Sequence, residues 1–150
     1  MKKIKLLITC ILVVMLIPSL VHGATADGDT IKVGDTLIQQ SLSGYRYLYA
    51  TSNSLINNGD GTVTVTAYTE SVVPVDSVYV RAYLQKYNTT NDTWVNVYNV
   101  YDTQINSDYA SAYKGYTVSS GRYRVMSVHK VSIGGTTEQT TQYSAEKTIY

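Results

Sequence analysis

The chain has 150 residues, with 12 Lys and Arg against 11 Asp and Glu, two His, one Cys, 15 Tyr and no Phe. A formal net charge of +1, with no run of Lys and Arg beyond the first few residues, argues against nucleic acid or an anionic membrane as the main partner, since both select basic patches. The one cysteine, Cys10, lies in an apolar stretch near the start, so the rest of the chain must be held by packing and not by disulfides.

Lys2, Lys3 and Lys5 precede an almost unbroken apolar run from Leu6 to Leu20, and Ala24-Thr25-Ala26 offers a small-x-small cleavage pattern. These features predict a secretory signal peptide over residues 1–26, cut after Ala26 or after Gly23, and therefore an extracellular protein. A bilayer span needs about 20 apolar residues and no second hydrophobic segment follows, so no membrane insertion is expected after cleavage. Leu7-Ile8-Thr9-Cys10 is a poor lipoprotein box, because Thr precedes the cysteine and the apolar run continues beyond it. Without the three leader lysines, nine basic groups face eleven acidic ones, a net charge of −2. The remaining length suits one domain with one core.

Residues 27–44 carry only a short apolar pattern, Ile31, Val33, Leu37 and Ile38, which fits a tether or an edge strand. Residues 45–150 are expected to form the domain proper. Tyr, Thr, Ser and Val dominate there, the residues that suit pleated, half-buried surfaces. Residues 48–56 and 62–68 read as a hairpin around Asn57-Asn58-Gly59-Asp60-Gly61, a cluster tolerant of positive φ. Pro74 is expected in a loop before the clearest strand, residues 78–87, in which Val78, Val80, Ala82 and Leu84 alternate with Tyr79, Arg81, Tyr83 and Gln85. Asn88 to Thr93 reads as a polar turn; its two Asn-x-Thr triplets are taken as turn residues. Strands are then expected over 94–101, 113–118 and 123–133, with Gly134-Gly135 reversing the chain into a last strand that ends at Ile149. About seven strands without a helical period point to an all-β domain of two packed antiparallel sheets.

Gly121-Arg122-Tyr123-Arg124-Val125, followed by Ile133-Gly134-Gly135 and Glu138, resembles the penultimate strand and last hairpin of a fibronectin type III or immunoglobulin-like β-sandwich. The resemblance implies that Tyr123 is a corner tyrosine. Together with Tyr83-Leu84-Gln85-Lys86-Tyr87-Asn88, Trp94 and the segment Tyr123 to His129, the chain is also similar to an uncharacterised family of small secreted proteins of Gram-positive bacteria. That likeness covers roughly residues 48–149 and implies fold and location, with no catalytic residue.

Outside the leader the chain has one histidine and no cysteine, and it lacks a G-x-S-x-G elbow, so neither a serine triad nor a histidine-cysteine zinc site is indicated. His129 shares a strand face with Ser127, Val125 and Tyr123, as a core or sheet-end histidine with one hydrogen bond would. Asp27-Gly28-Asp29 and Asn57, Asn58 and Asp60 are the better metal candidates, for calcium, yet turn chemistry accounts for both. Glu70, Asp76, Asp102 and Asp108 are the scattered acids from which a glycosidase pair would have to come. No cofactor, no metal site and no catalytic residue are expected.

If Val78 to Leu84 point inward, Tyr79, Arg81, Tyr83, Gln85 and Tyr87 form an outward row. By the same parity Arg124, Met126, Val128 and Lys130 point outward from a neighbouring strand. Tyr79, Arg81, Tyr83, Tyr87, Met126 and Val128 are therefore the candidate ligand-binding residues, since Tyr and Arg combine contact area with a polar tip. A cover from residues 27–44, or plain exposure, is the ordinary alternative. Trp94 is expected in the core. The function expected is a secreted, non-catalytic interaction domain whose partner is an extracellular protein; the alternative is a module that holds polysaccharide on the Tyr row. A secreted enzyme or inhibitor is the third class, and oligomeric state is open.

Overall fold

The computed structural model describes residues 38–150, with side chains from residue 42 onward. The expected signal peptide, the stretch 27–37 and the Asp27-Gly28-Asp29 candidate lie outside the described residues. Seven strands make up one antiparallel sheet: β1 (Ile38–Ser41), β2 (Leu48–Asn57), β3 (Thr62–Asn88), β4 (Thr93–Thr117), β5 (Gly121–Ile133), β6 (Thr136–Tyr143) and β7 (Lys147–Ile149). The order is β1-β2-β3-β5-β6, with β4 on the other side of β3 and β7 beside the start of β5. No helix occurs among the described residues.

The turns follow from their side chains. Gly59 and Gly61 take φ of 82° and 79° between β2 and β3. Asn57 Oδ1 accepts the Gly59 N–H there, and the Asp60 carboxylate accepts both the N–H and the hydroxyl of Thr62. Gly134 and Gly135, with φ of 54° and 80°, close β5 onto β6 through a two-residue loop of the kind that matches strand twist.

β3 and β4 are much longer than the sequence predicts, and they are why the sheet curls. The expected strands 62–68 and 78–87 are the two halves of β3, and 94–101 and 113–118 are the two ends of β4. The five-residue step from Glu70 to Val75 in β3 opposes only the two-residue step from Tyr109 to Ser107 in β4. Extra residues on one side of a ladder bend the strand. Pro74, which has no N–H to give a ladder, sits inside that bulge and not in a separate loop. The first half of β3 pairs with β2 and its second half with β5. The bend therefore turns the β2 region and the β5 region towards each other, in place of two separately formed sheets.

Between these halves lies the core, built mainly from small and β-branched residues, Val63, Val65, Val78, Val80, Ala82, Val125 and Val131, together with Leu84, and with Tyr123 the largest. Tyr123 Oη donates to the Ser119 carbonyl at 2.8 Å, fastening the entry to β5. The opposite rim is closed by Glu138 of β6, whose carboxylate accepts the backbone N–H groups of Arg46, Tyr47 and Leu48 at 2.8–2.9 Å. Partial burial pushes the Glu138 carboxyl up, but these three donors and the Arg46 charge hold it below its usual range.

Candidate functional site

Alternation along β3 and β5 turns one set of side chains inward and the other out, and strand register fixes which outward residues meet. Tyr79 pairs with Lys130, Arg81 with Val128 and Tyr83 with Met126 on one side of β3; Thr103, Tyr101 and Asn99 of β4 stand on the other. At the hairpin end Tyr87 pairs with Trp94, and Gln85 pairs with Arg124. All six candidate ligand-binding residues, Tyr79, Arg81, Tyr83, Tyr87, Met126 and Val128, thus lie on one outer face, half-buried against their neighbours.

Cations and rings interleave across this face. The Arg81 guanidinium lies 5.0 Å from the Tyr101 ring and 5.9 Å from those of Tyr79 and Tyr83, while Lys130 sits 5.1 Å from Tyr79. Arg124 lies 4.3 Å from the Trp94 ring and 4.4 Å from Tyr143; Arg122 lies 4.4 Å from Tyr87. Gln85 Oε1 accepts from Arg124 Nε, and Arg122 pairs with Glu146 at 2.6 Å. A hydrogen bond to the Tyr83 hydroxyl, then the charge interaction with the Tyr79 hydroxyl, raise the Arg81 pKa above its usual value.

Three contributors were not among the residues singled out for this face. Trp94 is half-buried on the outside, 5.2 Å from Tyr87, and not in the core, because its register partner Tyr87 faces outward. Tyr101 and Tyr143, 60% and 48% exposed, are the most open rings here. Their signal was the parity of flanking strands, legible only once β4 and β6 are aligned on β3 and β5. The described part of the 27–44 segment, β1, pairs with β2 in the opposite half. The outer face of that half, carried by Thr64, Thr66, Tyr68, Ser111 and Tyr113, holds no Lys or Arg.

A second polar group is sealed inside. His129 is fully buried, with Nε2 at 2.7 Å from Ser127 Oγ and Nδ1 at 2.9 Å from Thr69 Oγ1, two partners where one was expected. Asn53 Nδ2 donates to Ser127 Oγ and Thr69 Oγ1 donates to the Tyr79 carbonyl. The Thr69 hydroxyl hydrogen goes to Tyr79, so Nδ1–H donates to Thr69; in the neutral ring that burial favours, Ser127 donates to Nε2. Burial accordingly pushes its pKa down to about 4. Among the described residues Thr69, not an acid, meets Nδ1, and neither Ser127 nor His129 has access to solvent.

The remaining polar candidates are not brought together. Asp76 accepts the Gly134 N–H, Asp102 accepts the Ser111 N–H, and Asn57, Asn58 and Asp60 are spent on their own turn. Among the described residues no group of three or more His, Cys, Asp or Glu is placed to hold a metal.

A family model described as a family of unknown function, DUF6147, matches residues 21–147. The chain belongs to that family. No curated protein and no solved structure matches it. The DUF6147 match spans nearly all of the sheet, so the aromatic and cationic face and the buried His129 group both fall within the family's extent.

Proposed function

We propose that the chain is a secreted, non-catalytic binding domain of immunoglobulin-like or fibronectin-III-like type, acting outside the cell, with its ligand surface on the outer face of β4, β3, β5 and β6. The observation that carries this reading is the asymmetry between the two outer faces. One is Ser and Thr with a few tyrosines and no cation; the other sets Arg81, Arg122, Arg124 and Lys130 among six aromatic rings. Tyr, Trp and Arg are the residues that carry binding energy at recognition surfaces. The buried Tyr123 with its Ser119 hydrogen bond supports the immunoglobulin-like comparison. The burial of Ser127 and His129 supports a structural use for the one Ser–His contact of that kind.

The test is co-sedimentation of the protein, purified from the medium of a secreting host, with intact bacteria, isolated cell wall and insoluble polysaccharides. Tyr83→Ala with Tyr101→Ala is expected to abolish retention, whereas Tyr113→Ala on the opposite face leaves it unchanged. Equal retention of all three proteins overturns the reading.

A further inference from the structure

Granted that this outer face is the ligand surface, we infer that its ligand is an anionic polysaccharide, with sugar rings stacked on the open tyrosines and the polymer's carboxylate or phosphate groups held by Arg81, Arg124 and Lys130. Charge placement is the first reason. Residues 38–150 contain eight Lys and Arg and eight Asp and Glu, yet four of those cations gather on this face. Glu146 neutralises Arg122, but Arg81, Arg124 and Lys130 have no ion pair among the described residues. An aromatic ring steadies a cation through its quadrupole without cancelling the charge, so three uncompensated charges remain to meet an anion.

Guanidinium geometry is the second reason. The cation–ring contacts of Arg81 with Tyr101 and of Arg124 with Trp94 and Tyr143 leave in-plane N–H groups over, the Nη groups in Arg124 since its Nε already donates to Gln85, and such groups engage carboxylate and phosphate oxygens. Arg81 Nε is buried without a hydrogen-bond partner and Nη1 reaches the Tyr83 hydroxyl at 3.4 Å, which leaves Nη2 as the donor free to meet an oxygen. The stacked rings hold both arginines in place before binding, which lowers the entropy lost when the ligand arrives.

Shape and surround are the third. The face is a strand-parallel strip, about 27 Å long from Tyr79 to Tyr87 at the usual rise per residue, which suits a linear polymer and not a small molecule. Thr103, Asn99, Gln139 and Thr141 occupy the flanking strands in register, hydroxyls and amides able to meet sugar hydroxyls. Met126 and Val128 are its only aliphatic residues on β5, too little for the dry apolar centre of a protein interface.

Affinity electrophoresis of the secreted protein in gels holding polygalacturonate, its fully methyl-esterified neutral form, yeast phosphomannan or the dephosphorylated mannan tests this, with a single-stranded DNA shift assay alongside. Retardation by an anionic polymer and not by its neutral counterpart is expected; the carboxylate and phosphate arms say which anion is preferred. Arg81→Gln, Arg124→Gln and Lys130→Gln together are expected to weaken binding at least about tenfold, as three partly exposed charges would. Tyr101→Ala with Tyr143→Ala is expected to weaken it similarly, and added salt to weaken wild type but not the triple charge variant. Equal retardation by the neutral polymers, no retardation by any polymer, or tighter binding of single-stranded DNA overturns the inference. If the protein still sediments with cells through Tyr83 and Tyr101 in those cases, the face is a ligand surface of another specificity; if face variants sediment like wild type, the surface assignment itself fails.

Discussion

Ser127 Oγ lies 2.7 Å from His129 Nε2, the separation of a nucleophile and its base, yet the two are stacked between the halves of a curled sheet where no substrate reaches. Their partners explain why they are there. Asn53 on β2 and Thr69 on the first half of β3 bond to Ser127 and His129 on β5, so one directed chain of hydrogen bonds ties together parts of the sheet that do not pair through the backbone. In a domain without cysteine this polar pin does what a cross-sheet disulfide would otherwise do.

His129 makes acid stability predictable in sign. Its folded pKa of about 4 lies below the ordinary 6.5, so the native state resists a proton that the unfolded chain accepts. Above pH 6.5 the group has no effect; as pH falls from about 6.5 to 4 it removes stability, up to about 3 kcal/mol. His129→Gln is expected to flatten this part of the profile. Urea unfolding at pH 7 and pH 4.5 measures it, and an unchanged slope in the variant would show that the acid loss originates elsewhere.

Glu138→Ala leaves three backbone N–H groups of the β2 entry without their acceptor, at a cost of about 1–3 kcal/mol. Because the Glu138 carboxyl is held below its usual range, its contribution is full above that range and is lost as pH falls from there through the lowered folded value. Hydrogen exchange at Tyr47 and Leu48 should accelerate in the variant, while exchange in the middle of β5 changes only with global stability.

Tyr123→Phe removes only the phenol oxygen that bonds the Ser119 carbonyl. The expected loss is about 1 kcal/mol, with the ring still filling the core. Leu84→Ala, at a fully buried site, should cost about 2–5 kcal/mol through its cavity. Denaturant midpoints separate the two, and a Tyr123→Phe loss as large as that of Leu84→Ala would mean the corner hydrogen bond anchors far more than one loop.

Export is checked by mass. The protein recovered from the medium of a secreting host should begin at Ala24 or Asp27, and a species retaining Met1 in the medium would contradict the signal-peptide reading.

Much of the sheet was legible because a period of two is a local property: Val78 to Leu84 and Tyr123 to His129 each announce their own inward face. Continuity was not. Ser71 to Asp76 breaks alternation and contains Pro74, so one bent strand reads as two, and β4, exposed on both faces through much of its first half, has no alternation to read. Trp94 was misplaced because bulk suggested the core, whereas pairing with Tyr87 decides its side. The cations were legible in part: parity alone puts Arg81, Arg124 and Lys130 outward, but not their spacing along the face. That spacing comes only from the β3–β5 register, which sets Lys130 beside Tyr79, Arg81 beside Val128 and Arg124 beside Gln85.

The same alternation has a consequence for how this chain tolerates change. Along residues 77–86 the core and the outward aromatic and cationic face share one reading frame, each taking every second residue. Deleting a single residue there would exchange the two, sending Tyr and Arg inward and Val and Leu into water, while deleting two adjacent residues would preserve the phase and merely shorten the strip. Length variation in this strand is therefore expected to come in pairs.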